Sequence, residues 1–211
     1  MTLEAVSVPA AVCLASYLMG AIPFGFIAAR LKGIDITKQG SGNTGATNVL
    51  RTLGPRYAVP VLLLDAGKGA AAAYLGMRFL GMGSLGALLA GACAIAGHNW
   101  SLFLKFRGGK GVATSAGVGF VAFPYLLLAA LAVFVTVVLA TRYVSLGSLV
   151  AAWTALILSL LSSSYTTVQR VAVFLLVAAI TVQHRSNIAR LASGTERKFG
   201  ESTVIRKGEP R

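Results

Sequence analysis

Long apolar runs recur along most of the sequence. They lie at about 6–29, 57–76, 84–100, 112–140, 146–161 and 168–182. A helix needs about 20 residues to cross a hydrocarbon core of about 30 Å, and most of these runs are close to that length. Only 12% of the residues are charged, against roughly 25% in a soluble domain. The sequence therefore predicts an all-α, polytopic integral membrane protein.

The run at 112–140 is longer than one span requires and contains Pro124. As a single helix, it would place the loop at 98–114 and the C-terminal tail on opposite sides of the membrane. Divided at Pro124 into two short helices, it places sixteen of the 19 lysines and arginines on one side. Only Arg78 and Arg170 then lie on the other side, and one cation lies within a span. Because cytoplasmic loops are enriched in lysine and arginine, we predict about seven transmembrane helices, with the N-terminus outside and the C-terminus in the cytoplasm.

The chain is interpreted as one unit. We predict a single transmembrane helical domain at 1–200 and a disordered basic tail at 201–211. A net charge of +13 would suggest a nucleic-acid partner for a soluble protein. In a membrane protein it is explained by cytoplasmic loops and a site for anionic substrates, so we expect no nucleic-acid partner. Cys13 and Cys93 both lie in apolar runs, which indicates neither a disulfide framework nor a metal cluster.

The segment at 97–114, GHNWSLFLKFRGGKGVAT, combines three glycines clustered around one lysine with two further cations and a threonine at the start of the next apolar run. Gly108 and Gly109 precede Lys110, and a third glycine follows it. Glycines let the backbone approach a ligand closely, and exposed amides beside a helix N-terminus bind anions. A Walker A motif would have serine or threonine after the lysine, so nucleotide hydrolysis is not indicated. We interpret this segment as a phosphate-binding loop at the membrane surface.

A second polar loop, at 39–51, is rich in small residues and side-chain donors and ends in Arg51. Its segment GSGNTG matches the pattern G-x-G-x-x-G, but a dinucleotide fold requires a βαβ unit, which this sequence does not contain. One interpretation is a capped turn with an arginine that sets the topology. The other is a second loop that contacts phosphate.

The remaining unusual polar residues each allow a structural and a functional interpretation. Asp65 and Lys68, three residues apart in the second span, form either a self-neutralising pair or a support for the loops, since ionisable residues within a span tend to mark a site. His98 is either an interfacial residue bonded to a backbone carbonyl or part of the site. His184 and Asn187 recur at helical spacing and therefore share a helix face, although a solvated basic helix end would need neither.

Three segments resemble the signature loops of a known family. SGNTGATNVLR at 41–51, GHNWSLFLKFRGGKGVAT at 97–114 and HRSNIARLASGTERK at 184–198 are similar to the loops of the bacterial acyl-phosphate:glycerol-3-phosphate acyltransferases, the PlsY family. DAGKG and RYVSLGS also resemble family segments and occur in the same order. The resemblance covers nearly the whole chain. It departs at Ser101, where many members have proline.

This resemblance implies an enzyme that transfers a fatty acyl group from acyl phosphate to the sn-1 hydroxyl of glycerol-3-phosphate, which gives lysophosphatidic acid and phosphate. It also implies a monomer surrounded by lipid in the bacterial cytoplasmic membrane, with its active site on the cytoplasmic side and no cofactor or metal. Both substrates carry phosphate, and acyl phosphate is already activated. Proximity and charge stabilisation therefore suffice without a covalent intermediate.

The matching motif positions imply two sets of substrate-binding residues. The acyl phosphate would be held by Ser41, Gly42, Asn43, Thr47, Gly108, Gly109 and Thr114. Glycerol-3-phosphate would be held by Arg51, Lys110, Ser148, His184 and Asn187. The residues implied in catalysis are Ser41, Arg51, Lys110, His184 and Asn187. The hydroxyl proton would pass either to His184, since histidine titrates near neutrality, or to a departing phosphate oxygen.

The sequence disfavours three other classes of protein. A transporter for phosphorylated metabolites usually shows repeated halves and a site near mid-membrane, and no repeat is visible in this sequence. A CDP-alcohol phosphotransferase requires an aspartate-rich metal motif, whereas this chain has six acidic residues in all. The H-x-x-x-x-D motif of soluble-type glycerolipid acyltransferases is absent, because Phe103 and Ala189 stand five residues after the two histidines.

Overall fold

The structure, a computed structural model, describes residues 3–201, with the backbone alone for 3–6. No β-sheet occurs among these residues, and the predicted all-α class is confirmed. Short 3₁₀ helices at Ile36–Lys38 and Leu102–Leu104 lie in the polar loops. The α-helices of this part of the chain are α1 Leu3–Ala21, α2 Phe24–Arg30, α3 Ala46–Leu53, α4 Pro55–Phe79, α5 Ser84–Asn99, α6 Val112–Ala122, α7 Pro124–Thr141, α8 Val144–Leu161, α9 Thr167–Gln183 and α10 Arg185–Ala192. Apart from Glu201, the predicted tail at 201–211 lies outside the described residues.

Several helical segments are long and apolar enough to cross a membrane. Within residues 3–201 they are Ser7–Arg30, Pro55–Phe79, Pro124–Thr141 and Val144–Leu161, and the bent pair α9–α10 makes a fifth if it counts as one span. α5 and α6 contain 16 and 11 residues, and at about 1.5 Å per residue neither is as long as the hydrocarbon core is thick. The chain is thus polytopic, while seven spans and an external N-terminus remain predictions.

The run at 112–140 is divided at Phe123. α7 begins with Pro124, whose φ suits the first turn of a helix and whose missing N–H prevents it from continuing the preceding one. The chain folds back at this point. A Cβ on Gly119 would lie 3.5 Å from the Cβ of Leu127, whereas eight residues of continuous helix would separate them by about 12 Å. The predicted division at Pro124 is confirmed.

The predicted first span is interrupted near its end. α1 stops at Ala21 and α2 starts after Pro23, because proline cannot donate a backbone hydrogen bond within a helix. Side chains from other parts of the chain satisfy the carbonyls at the break. The Ser101 hydroxyl donates to the Ala21 carbonyl at 2.6 Å, and Lys68 Nζ donates to the Ile22 carbonyl at 2.8 Å. Ser101 thus supplies a hydrogen-bond donor that a proline at this position would lack.

Glycines bring the central helices into close contact. α4 packs against α1, α3, α5 and α6, while α7, α8 and α9 form a second group. A Cβ on Gly69 of α4 would lie 2.1 Å from the Thr114 carbonyl oxygen, and a Cβ on Gly117 of α6 would lie 1.8 Å from the Ala66 carbonyl oxygen. Small residues allow membrane helices to approach this closely. The glycine loop (108–111) leads directly into α6. The close contact of α4 with α6 therefore fixes the position of this loop.

Candidate functional site

A cavity of about 380 Å³ lies between the two groups of helices. Its polar end is formed by the loop at 39–51, the glycine loop, the start of α8 and the bend between α9 and α10. Its apolar wall comes from α6, α7, α8 and α9 and includes Val118, Phe123, Leu126, Ala155 and Val177. Predicted site residues that line the cavity are Ser41, Asn43, Thr47, Arg51, Lys110, Ser148, His184 and Asn187. The cavity therefore suits a ligand with an apolar chain and a polar end.

Asn48 organises the loop at 39–51. Its side chain is buried, and its Oδ1 accepts a hydrogen bond from the Ser41 N–H at 3.1 Å. Its Nδ2 donates to the carbonyls of Gln39 at 3.0 Å and Asn43 at 2.8 Å. A buried amide that satisfies several backbone groups fixes the loop conformation. Ser41 and Asn43 are thereby held at the cavity, a role for Asn48 that its place in a polar loop did not reveal.

Four of the residues assigned to acyl phosphate lie beside the cavity wall, not on it: Gly42, Gly108, Gly109 and Thr114. Gly42 has φ +70°, a left-handed conformation that favours glycine. Gly108 and Gly109 rest on His98, whose carbonyl accepts a hydrogen bond from the Gly109 N–H at 2.9 Å. Thr114 is fully buried, with its carbonyl facing α4. These residues shape the two loops, and direct contact of their atoms with a ligand remains a prediction.

Lys110 belongs to a chain of hydrogen bonds that leads to Glu196. Lys110 Nζ donates to Oδ1 of Asn187, and Asn187 Nδ2 donates to Oε1 of Glu196 at 2.7 Å. Glu196 also accepts hydrogen bonds from the Ser145 hydroxyl at 2.8 Å and from Arg190 Nε at 2.7 Å. The chain joins the glycine loop, α8, α10 and the segment after α10. These contacts hold Lys110 and Asn187 at the polar end of the cavity.

Glu196 is a buried carboxylate that the sequence analysis did not single out. Burial alone would raise its pKa, but the hydrogen bonds from Asn187, Ser145 and Arg190 hold the pKa of Glu196 below its usual value. The carboxylate is therefore ionised at neutral pH and can accept from all three donors at once. A lone acid within the basic segment at 184–198 is the sequence signal that could have identified it.

His184 lies at the 60° bend between α9 and α10. Because a carbonyl oxygen can only accept, its Nδ1 donates the hydrogen bond of 2.8 Å to the Ile180 carbonyl, and in the neutral ring Nε2 keeps the lone pair. Asn187 lies on the first turn of α10, and both side chains line the cavity as their spacing predicted. The Ser148 hydroxyl donates to the Val144 carbonyl of its own helix at 2.9 Å, so its oxygen can accept from a ligand.

A smaller polar pocket of about 160 Å³ adjoins the cavity. It is lined by Ser41, Asn43, Lys110, Gln183, Arg185, Ser186 and Arg190. Three of these residues, Ser41, Asn43 and Lys110, also line the large cavity. Cations and neutral donors at such a junction suit a small anion. An amphipathic ligand in the large cavity and a small anionic ligand in the adjoining pocket would therefore reach the same three side chains.

Fold and site together define an integral membrane protein with space for an amphipathic molecule beside a small anion. Comparison with known proteins narrows this class. The family model described as glycerol-3-phosphate acyltransferase matches residues 10–194. The chain belongs to this family, and the resemblance drawn from its three loops is confirmed.

Similar proteins cover nearly the whole chain. The glycerol-3-phosphate acyltransferase of Thermoanaerobacter sp. strain X514 is 47% identical over 194 residues, which cover 90% of this chain and 96% of that protein. Glycerol-3-phosphate acyltransferase 1 of Deinococcus radiodurans is 48% identical over 188 residues, with coverage of 89% and 94%. The crystal structure of PlsY (YgiH), an integral membrane glycerol 3-phosphate acyltransferase, in its glycerol 3-phosphate form has a TM-score of 0.86 and 38% identity, and covers 91% of this chain and 96% of that chain.

Proposed function

We propose that this protein transfers a fatty acyl group from acyl phosphate to the sn-1 hydroxyl of glycerol-3-phosphate and releases lysophosphatidic acid and phosphate. Membership of the family supports the acceptor and the type of reaction. The observation that carries the proposal is the junction at Ser41, Asn43 and Lys110, where the apolar cavity meets the cationic pocket. A donor with its chain in the cavity and an anionic acceptor would meet at this junction.

The two substrates are assigned to different parts of the site. The acyl chain of the donor lies along α6, α7, α8 and α9, and its phosphate is placed near Ser41, Asn43 and Thr47, which line the polar end. Gly42, Gly108, Gly109 and Thr114 shape the loops around that phosphate. Glycerol-3-phosphate is assigned to Arg51, Lys110, Ser148, His184 and Asn187, all on the cavity side of the junction; of these five residues, Lys110 also lines the small pocket.

The reaction follows from this arrangement. The sn-1 hydroxyl oxygen attacks the acyl carbon, a new ester C–O bond forms, and the bond from the acyl carbon to the phosphate oxygen breaks. The hydroxyl proton ends on the departing phosphate, either directly or by way of Nε2 of His184. Lys110 and Arg51 stabilise the charge that grows on the phosphate oxygens. Holding both substrates at one junction supplies the remaining acceleration, so no cofactor is invoked.

We also propose the setting in which the enzyme works. The polar end of the cavity is formed by the loops that carry the excess of lysine and arginine, which supports a site on the cytoplasmic side of the bacterial cytoplasmic membrane. We further propose that the enzyme acts as a monomer surrounded by lipid. Lysophosphatidic acid formed there enters phospholipid synthesis.

A direct assay tests the donor and the acceptor. Purified protein given acyl phosphate and glycerol-3-phosphate is expected to release phosphate and form lysophosphatidic acid. With acyl-CoA as donor we expect no product, because the site assigned to the leaving group is built for phosphate. A chelator is expected to leave the rate unchanged. Omission of glycerol-3-phosphate measures donor hydrolysis as the control, and turnover with acyl-CoA or loss of turnover with the chelator would contradict the proposal.

Binding of glycerol-3-phosphate is expected to weaken above about pH 8. Burial lowers the pKa of Lys110 to about 8, so its ammonium is charged below that pH and neutral above it, whereas the second pKa of a phosphate ester, about 6, leaves the substrate charge unchanged there. KM for glycerol-3-phosphate should be about twofold higher at pH 8 than at pH 7, because half of the ammonium is then lost, and at least several-fold higher at about pH 9.5. Lys110→Arg keeps its charge throughout and should give a flat profile. A flat wild-type profile would refute this role for the ammonium.

A further inference from the structure

Asp65, Lys68 and His98 form a buried cluster that the proposed reaction does not use. Their exposed fractions are 2%, 5% and 7%. Lys68 Nζ lies 2.8 Å from Oδ1 of Asp65, and His98 Nδ1 lies 3.5 Å from the same oxygen. The interpretation of His98 as an interfacial residue bonded to a backbone carbonyl is therefore wrong. Buried charges must be paired to persist, and both side chains approach the same carboxylate oxygen within ion-pair distance, so this Asp65 cluster (Asp65, Lys68 and His98) has a defined arrangement.

A further hydrogen bond from Lys68 anchors the cluster to the chain near the start of α2. Lys68 Nζ also donates to the Ile22 carbonyl at the break between α1 and α2, which fixes the ammonium and, through it, the Asp65 carboxylate. Asp65 lies on α4 and His98 on α5. Both line the large cavity. The imidazole therefore stands at the cavity wall with its Nδ1 edge directed at a carboxylate that cannot move freely.

The opposite edge of the His98 ring faces the glycine loop. A Cβ on Gly109 would lie 1.9 Å from Nε2 of His98, so the backbone of Gly109 lies against the ring itself. The His98 carbonyl accepts the Gly109 N–H at 2.9 Å. A Cβ on Gly108 would lie 2.1 Å from that same carbonyl oxygen. His98 thus contacts the loop with both its side chain and its backbone, immediately before Lys110.

We propose that His98 is a positioning residue: held by Asp65, its ring sets the place of Gly109 and thereby aims Lys110 at the substrate phosphate. This inference rests on the proposed function, because it is the phosphate contact of Lys110 that the loop serves. The cluster acts through the loop and does not touch the reacting atoms. A displacement of Gly109 would be passed to Lys110 through a single peptide unit.

The test asks whether a methyl group added at Gly109 is tolerated once the His98 ring has been removed. Gly109→Ala alone is expected to lower kcat/KM by about a hundredfold, because a displacement of about 1 Å in a positioning element costs that much. His98→Asn keeps a donor near the position of Nδ1 and removes the far edge of the ring. It should raise KM for glycerol-3-phosphate more than it lowers kcat. In the double variant, Gly109→Ala with His98→Asn, we expect kcat/KM to recover at least about tenfold from the Gly109→Ala value.

Gly108→Ala provides the matched control. Its Cβ would meet the His98 carbonyl, which His98→Asn leaves in place, so the pair Gly108→Ala with His98→Asn should show no recovery. The rise in Tm on addition of glycerol-3-phosphate, measured for each variant, reports binding without turnover and should follow the same pattern. If the fold loss of kcat/KM in Gly109→Ala with His98→Asn equals the product of the two single-variant losses, the positioning role is overturned. Inactivity of the wild-type protein with acyl phosphate would instead count against the proposed function, and the Tm series would still decide the role of His98.

Discussion

Replacement of Lys110 by alanine is expected to lower kcat/KM for glycerol-3-phosphate by at least about tenfold to a hundredfold. A charge-assisted contact with phosphate contributes roughly 1.5–3 kcal/mol, and more where water is excluded. Each 1.4 kcal/mol corresponds to about a factor of ten. The substitution also removes the donor to Asn187 and so loosens the hydrogen-bond chain that ends on Glu196. Steady-state rates of phosphate release at varied glycerol-3-phosphate concentration measure the effect.

Two further variants separate a substrate contact from a charge that only sets topology. Arg107→Gln removes a cation from an exposed side chain immediately before the glycine loop and should leave kcat/KM within about twofold. Lys110→Arg keeps the charge but introduces a larger planar head beside the glycines, so a loss of kcat/KM is expected. If Lys110→Ala and Arg107→Gln behave alike, with equal amounts of protein in the membrane, Lys110 has no special role.

The substitution Gly117→Ala is expected to destabilise the helix bundle by about 3 kcal/mol. The new Cβ would lie 1.8 Å from the Ala66 carbonyl oxygen, and a backbone atom within a helix cannot turn aside as a flexible side chain would. α4 and α6 must separate to accommodate it, which lifts the glycine loop away from His98. Thermal unfolding in detergent should show a Tm lower by roughly 5–10 °C.

Gly67→Ala is the control for this effect. Gly67 lies in α4 next to Ala66, but nothing lies within 4 Å of the position its Cβ would take. Alanine in a helix is favoured over glycine by roughly 0.5–1 kcal/mol, so this variant should be as stable as the wild type or slightly more stable. Equal Tm values for Gly117→Ala and Gly67→Ala would show that the approach of α4 to α6 is not tight.

Hydropathy and proline placement were sufficient to predict the helical framework. The division at Pro124 follows from the chemistry of one residue, and the structure shows it directly. The break at Pro23 obeys the same rule but was not predicted, because the run at 6–29 has the length of a single span. The bounds of helix α3 were not predicted, since a short helix in a polar loop gives a weaker signal than an apolar span.

Residues that line the cavity were predictable where their own charge or spacing marks them in the sequence. Lys110, Arg51, His184 and Asn187 all line the cavity. Residues whose contacts are with partners distant in sequence were harder to predict. Asn187 and Glu196 are nine residues apart in sequence, but the position of Lys110 in that network depends on the approach of α6 to α10, which no local pattern encodes.

The break between α1 and α2 makes the first span depend on chain that is synthesised later. The helix break leaves the carbonyls of Ala21 and Ile22 without partners in their own helix, and a buried carbonyl without a donor is costly. Their donors, Ser101 and Lys68, follow 80 and 46 residues later in the sequence. The nascent protein can therefore place its first helix in the membrane early, but it cannot complete the bend in that helix until α4 and the start of the loop after α5 have been made. This segment is therefore among the first to be inserted but among the last to reach its final structure.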